Sequence, residues 1–185
     1  MAATRLLVIG AGFLQSPVLK RAREMGLVVI AVDRDPQAPG FAWASQRAVL
    51  DIKDREGCLK IAREEGVEGV VSVCTDHAVR TVAFVTDSLG LPGLSPMAAR
   101  SCTSKALMRE ALARGGVGGI QFGRADSLEQ AEKVAASLGL PCMVKPVDSV
   151  GSRGVTKVNS MGDLPAAFAA ASKASSAGDV IQVER

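Results

Sequence analysis

Residues 143–155 read MVKPVDSVGSRGV. A lysine closes an apolar run, a proline follows it, and a short loop of Asp, Ser, Gly and one Arg leads back into apolar residues. Pro146 has no N–H for a sheet ladder, so regular pairing stops there. Gly151 and Gly154 permit backbone angles and close approaches that other residues resist. Two readings fit the loop. One is a surface hairpin. The other is a cradle for phosphates, in which backbone N–H groups form an anion nest, Ser149 and Ser152 add hydroxyl donors and Arg153 adds a planar charged fork. Lys145 separates the two. An unpaired buried ammonium costs several kcal/mol, so a lysine inside an apolar run needs an anionic partner, and a ligand would supply one. The loop is not a Walker P-loop, which requires G-x-x-x-x-G-K-[ST] opening a helix. Here it joins two strands.

The flanking sequence gives the loop its setting. Residues 141–147 and 154–160 read as the two strands of the hairpin. Before them, 126–139 carries Leu128, Ala131, Ala135 and Leu138 at helical spacing, with Asp126 and Glu129 placed as a capping box. Residues 119–125 read as a strand, and 104–116 as a helix with Leu107, Met108, Ala111 and Leu112 on one side. After the hairpin, Ser160 caps a helix that turns Leu164, Phe168 and Ala171 inward, and 179–185 is a last strand. The order is β-α-β-β-α-β with a hairpin at its centre.

The first half is built differently. Continuous apolar runs at 5–9, 27–32 and 69–74, with a weaker one at 47–50, alternate with helical patterns. The first helix carries Leu14, Val18, Ala22 and Met25 at helical spacing; the next two span 54–65 and 76–89. Gly26, Gly66 and Gly90 fall where these helices should stop. Continuous apolar strands alternating with helices predict a parallel sheet covered on both faces. Residues 1–95 are therefore expected to form a Rossmann-like domain. Ser95-Pro96 then opens a helix as a cap and a first-turn proline.

Composition narrows the function classes. The 185 residues are 48% hydrophobic and 22% charged, ordinary values for a globular protein. Such a chain buries roughly 70% of its unfolded surface and needs no staples. Four cysteines and one histidine at wide spacing predict no zinc site and no disulfide, but reduced thiols in a cytoplasmic protein. The net charge of +3 comes from scattered Lys and Arg, without the clustered, aromatic-interleaved pattern of a nucleic-acid face. The apolar opening is too short for a membrane span and is broken by Gly10 and Gly12.

Two further stretches could carry chemistry. VIGAGFLQ (8–15) places Gly10 and Gly12 after a strand, and Asp33 ends the next strand. This is most of a dinucleotide fingerprint, but Gln15 stands where the third glycine belongs. The alternative is a tight strand-to-helix turn that binds no dinucleotide. VCTDHAVR (73–80) lies at the C-terminal sheet edge, where open α/β sheets place ligands. Asp76 and His77 could touch a substrate there. No nucleophile accompanies them, and helix capping by Thr75 or Asp76 is the simpler role. Lys105 sits beside the cap of the 104–116 helix, where a lone lysine is normally solvated.

Taken together, SKALMREALARGGV (104–117), LGLPCMVKPVDSVGSRGV (138–155) and GDVIQVER (178–185) resemble the ATP-grasp superfamily. The closest likeness is to its carbamoyl-phosphate synthase large-chain-like and biotin-carboxylase-like branch. The first domain resembles the family's pre-ATP-grasp domain. The resemblance implies a pre-ATP-grasp domain over 1–95, a helical linker over 96–118, and an incomplete first ATP-grasp subdomain over 119–185. It implies ATP as the ligand, with Mg²⁺ in the complete enzyme. Lys105 and Lys145 would contact the phosphates. Gly151, Ser152, Arg153 and Gly154 would lie over the β- and γ-phosphates. Glu184 stands at the position of the hinge glutamate, and the main chain around Arg185 would pair with adenine. The implied activity is joining a carboxylate to an amine or related nucleophile through an acyl phosphate. GGVGGI (115–120) departs from the family's G-[IV]-P-x-P-like link. The magnesium ligands belong to a second half that follows the hinge, so the chain is expected to be an N-terminal portion, inactive alone, with weak nucleotide affinity. Two other readings stay open. One is an NAD(P)-binding protein using Gly10, Gly12 and Asp33. The other is a non-catalytic assembly module that dimerises through an unpaired final strand.

Overall fold

The computed structural model describes residues 3–149, 151–175 and 180–185. Val150 in the loop, and residues 176–179 ahead of the last strand, lie outside them. The chain divides into two units, Met1–Arg100 and Ser101–Arg185.

In the first unit, β1 (Arg5–Ile9), β2 (Val28–Asp33), β3 (Gln46–Val49) and β4 (Gly69–Val71) form one sheet in the order β3-β2-β1-β4. Every pairing is parallel. Successive side chains on a strand point to opposite faces, and here both faces are buried. Leu7, Ile9, Ile30 and Val32 pack with Cys58, Leu59 and Ala62 of α2 (Arg55–Glu64) and Val85 of α3 (Val79–Leu89). Val8, Val29 and Ala31 pack on the other side with Leu19 and Ala22 of α1 (Ser16–Glu24) and with Phe41. The unbroken apolar runs are thus the signature of strands covered twice. Gly26, Gly66 and Gly90 take positive φ angles of 79°, 56° and 64° after their helices. Two expectations fail locally. Leu14 and Met25 are 61% and 62% exposed, because the turn delays α1 until Ser16 and Leu19 takes the inward position. The fourth strand ends at Val71 and not at 74, where Cys74 turns the chain at φ 56°.

α4 (Pro96–Cys102) follows. The second unit then comprises α5 (Lys105–Arg114), β5 (Phe122–Ala125), α6 (Leu128–Leu138), β6 (Cys142–Pro146), β7 (Thr156–Val158), α7 (Leu164–Ala174) and β8 (Ile181–Glu184). Its sheet runs β5-β8-β6-β7 with antiparallel pairings. Cys142, Val144, Val158, Ile181 and Val183 face Ala131 and Ala135 of α6 and Leu164, Ala167 and Ala171 of α7. α6 comes so close that a Cβ on Gly123 would stand 2.5 Å from Val134 Cγ1. The opposite face carries the cross-strand pairs Met143–Glu184, Met143–Lys157 and Lys145–Gln182. Three expectations are corrected. β8 is an interior strand and offers no edge for dimerisation. The cap of α6 is Ser127, whose hydroxyl accepts the Gln130 N–H at 3.3 Å, while Gln130 Oε1 accepts the Asp126 N–H at 3.2 Å. Asp126 and Glu129 therefore form no capping box. The strand expected over 119–125 starts at Phe122.

Gly40 tests how closely the first unit is packed. Its N–H reaches Ala11 O at 2.7 Å, and a Cβ there would stand 2.6 Å from the same oxygen. Gly40→Ala is expected to cost about 1–3 kcal/mol through forced backbone displacement. The single tryptophan, Trp43, packs half-buried against this unit's core, so its fluorescence during urea unfolding reads that cost.

Candidate functional site

The site lies on the face of the second unit's sheet opposite α6 and α7, beneath α5. Three features of the local sequence build it. β6 alternates, with Cys142 and Val144 buried on the helical face, so Met143 and Lys145 point the other way. β8 likewise turns Val183 inward and aims Gln182 and Glu184 at the opposite face. Ser104 caps α5 by accepting the Leu107 N–H, which starts the helix at Lys105. Positions four apart share one helix side, so Lys105 and Arg109 project together.

Glu184 is the centre. It is 4% exposed, yet it is charged and saturated with donors. Arg109 Nε donates to Oε1 at 2.9 Å and Nη2 to Oε2 at 3.4 Å. Lys145 Nζ donates to Oε2, and Gln182 Nε2 donates to Oε1. A carboxylate has about four acceptor sites, so all are used. Burial alone would raise the Glu184 pKa. The hydrogen bonds and positive charges of Arg109 and Lys145 outweigh it and hold the carboxyl below the ordinary range. Lys145 therefore has a protein partner, and its burial does not by itself require a ligand. Among the described residues Glu184 is its one hydrogen-bond partner, which leaves two of the three ammonium N–H bonds unused.

Lys105 is tied to the glycine loop. Its backbone N–H donates to Val147 O at 2.8 Å and its Nζ to Ser149 O. The loop base is held further by Ser175 Oγ donating to Asp148 at 2.9 Å and Ser149 Oγ donating to Arg153 O at 3.0 Å. Gly151, Ser152 and Gly154 all take positive φ angles, of 66°, 58° and 70°. Gly154 also passes where a Cβ would meet Ala174 Cβ at 2.6 Å. Gly151, Ser152 and Arg153 are exposed. Beside the cluster is a cavity of about 200 Å³ lined by Ile120, Pro141, Met143, Lys157, Glu184 and Arg185, among others. This is below the roughly 300–1,000 Å³ of a complete small-molecule site, and suits one ring system. The Arg185 N–H donates to Gln121 O at 2.9 Å and its guanidinium to Leu138 O at 2.7 Å. That N–H is committed to the residue just ahead of β5.

The structure thus brings Lys145 and Glu184 into one cluster and links Lys105 to the loop. Arg109 and Gln182 were not legible as members. The Lys105–Arg109 spacing was an available signal for the first. Nothing local pointed to the second.

In the first unit, the dinucleotide groups have structural partners. Asp33 accepts the N–H groups of Ala11 at 2.8 Å and Asp35 at 3.0 Å. Gln15 is 9% exposed, donates to Val73 O at 2.8 Å, and lies where Cβ atoms on Gly10 or Gly12 would meet it. The turn is filled by protein. Thr75 accepts the His77 N–H at 3.2 Å as a cap, and Asp76 and His77 are exposed. The Cys58 thiol is pushed up to about 12 by burial and the charges of Asp54 and Asp51, which makes it a poor nucleophile. Burial also raises Cys142. No helix among the described residues is long and apolar enough to cross a membrane.

Residues 120–185 match the family model described as D-ala D-ala ligase C-terminus. The chain is 32% identical over 171 residues to a formate-dependent phosphoribosylglycinamide formyltransferase of Burkholderia vietnamiensis, and 30% identical over 167 residues to that of Methanocaldococcus jannaschii. These alignments cover 90% and 89% of this chain and 42% of each relative. The chain therefore spans less than half the length of the curated relatives it matches. Among solved structures it superposes on carboxyaminoimidazole ribonucleotide synthase from Aspergillus clavatus complexed with ATP, with a TM-score of 0.80, 21% identity, and coverage of 98% of this chain and 47% of that one. The biotin carboxylase domain of Hydrogenobacter thermophilus 2-oxoglutarate carboxylase, in complex with MgADP, ADP and bicarbonate, gives 0.79, 19%, 100% and 44%. The fold is one shared by a synthase and a carboxylase domain crystallised with adenine nucleotides. Residues 120–185 thus match an ATP-grasp ligase family, and the chain as a whole is similar to ATP-grasp enzymes.

The lowered Glu184 pKa fixes a pH dependence. A depressed carboxylate contributes stability above its unfolded value and loses it as pH falls through the folded value. Glu184→Gln strands two cations, and is expected to cost about 3–5 kcal/mol at neutral pH. The gap to the wild type should narrow below the ordinary glutamate range. Hydrogen exchange of the β8 amides against pH measures it in the second unit alone.

Proposed function

We propose that this chain supplies one half of the nucleotide site of an ATP-dependent ligase acting on a carboxylate through an acyl phosphate. The observation that carries this reading is the part-buried Lys145 ammonium, held by Glu184 with two N–H bonds to spare, next to a loop with three residues at positive φ. Lys145 and Lys105 would hold phosphate oxygens. Gly151, Ser152, Arg153 and Gly154 would lie over the terminal phosphates, offering backbone and side-chain donors. The apolar cavity at Met143 would take the adenine ring, against the main chain of Glu184 and Arg185. Charge-assisted hydrogen bonds of roughly 1.5–3 kcal/mol each would hold the triphosphate and stabilise charge as the γ-phosphoryl moves.

In this reading the first unit, over about 1–95, is a Rossmann-like pre-ATP-grasp domain of the carbamoyl-phosphate synthase-like and biotin-carboxylase-like branch. Its parallel strand order supports that assignment. Residues 96–118 are the helical linker and 119–185 the first ATP-grasp subdomain. The residues present do not fit magnesium. Among those described, no group of three or more His, Cys, Asp or Glu could hold a metal ion, and Glu184 has no acceptor site left. In this reading the metal ligands would come from the part of the relatives that the alignment does not cover. The substrate class is a small carboxylate. The relatives' names specify formate, and one neighbour's crystal holds bicarbonate.

Isothermal titration with ADP, ATP and NAD tests the reading. ADP and ATP should bind weakly, Lys145→Ala should abolish the signal, and Lys105→Ala should weaken it about tenfold, the equivalent of one phosphate contact of about 1.4 kcal/mol. NAD should give none. Binding of NAD without binding of ATP or ADP would overturn it.

A further inference from the structure

Arg109 contributes two of the four donors on Glu184, yet nothing in the nucleotide reading gives it a role. It is not among the residues lining the cavity, and its side chain is only 20% exposed. It lies 75 positions before Glu184, so the contact is tertiary and not an accident of local sequence.

The arrangement of charge suggests what it does. Lys145 and Glu184 alone would form a closed, neutral pair. A neutral pair has little pull on a phosphate, and an ammonium held by an otherwise unpartnered carboxylate would follow it. With Arg109 present, two cations share one carboxylate and the cluster carries one surplus positive charge. The fork geometry matters as well. Nε and Nη2 grip both oxygens, which fixes the carboxylate plane. Gln182 holds Oε1 from the strand itself. Glu184 is thus held in place while it accepts from Lys145, and among the described residues the ammonium has no other hydrogen-bond partner. The helix that carries Arg109 is anchored independently. Its neighbour Glu110 accepts from Arg124 Nη1 at 3.1 Å, and its first N–H is bound to Val147 O. The guanidinium is therefore not required merely to dock α5.

We infer that Arg109 is a positioning residue of this site: by clamping Glu184 it leaves the Lys145 ammonium only half neutralised and aimed at an anionic ligand. The inference rests on the phosphate-binding reading of Lys145. Arg109 itself touches no ligand.

The test uses the whole chain with Arg109→Gln, Arg109→Lys, Glu184→Gln and the double variant, and with Arg114→Gln as an exposed control on the same helix. Two measurements are made. The first is the Lys145 side-chain ¹⁵Nζ resonance without ligand. It should move in Arg109→Gln, move less in Arg109→Lys, and stay in place in Arg114→Gln. The second is titration with inorganic tripolyphosphate. Arg109→Gln should bind about tenfold more weakly, with partial recovery in Arg109→Lys, and the loss should shrink when Glu184 is already Gln, as coupled residues require. An unmoved Lys145 resonance overturns the inference. So does an equal loss in both Glu184 backgrounds, which would mean that Arg109 contacts the anion directly. A moved resonance in a protein that binds neither tripolyphosphate nor nucleotide supports the clamp and overturns the nucleotide reading instead. A thermal midpoint for Arg109→Lys matching the wild type excludes unfolding as the cause.

Discussion

A single buried carboxylate organises the second unit. Glu184 sits in an interior strand with almost no contact with water, and an isolated charge there would be costly. Its neighbours meet that demand from three directions. Lys145 comes from the adjacent strand, Gln182 from its own strand, and Arg109 from the helix above. Each donor is thereby fixed in turn. The lysine at the end of MVK is placed by this requirement, and the glycine loop starts a few residues beyond it. The position of the glycine loop thus follows from satisfying one buried acid.

The first unit uses the same device in a different way. Asp33 ends β2, and its two oxygens bind the backbone of the glycine turn and of its own loop. Gln15 then closes the turn from within. In one unit a carboxylate holds backbone and fills a potential ligand cleft. In the other it holds two cations. Two stretches that both resemble nucleotide motifs in sequence therefore differ in what they offer a ligand.

Much of the fold was legible because it depends on local pattern. Continuous apolar runs marked doubly covered strands. Helix ends followed from Gly26, Gly66 and Gly90. What was missed depends on contacts distant in sequence. The final strand looked like an edge because sequence order does not give sheet order, and β8 inserts between β5 and β6. Arg109 looked like any helical arginine because its partner lies 75 residues away. Ser127 displaced Asp126 as a cap because neighbouring polar residues compete on backbone geometry that composition does not reveal. Leu14 was assigned inward because helical phase was counted from a turn that had not yet become helix.

The energetics of the Glu184 cluster do not explain it by stability alone. Replacing a buried ion network by well-packed apolar residues is often neutral, or stabilising by about 1–4 kcal/mol. An apolar trio at 109, 145 and 184 would therefore hold α5 to the sheet at least as well. The face could also be sealed, since Met143 and Phe122 already flank Glu184 across the strands. Instead the site keeps two cations to one anion, and places the surplus next to exposed backbone with three residues at positive φ. Stability alone requires neither the excess charge nor the strained loop. In the proposed function an anionic ligand would use both, the charge for attraction and the loop for its N–H groups.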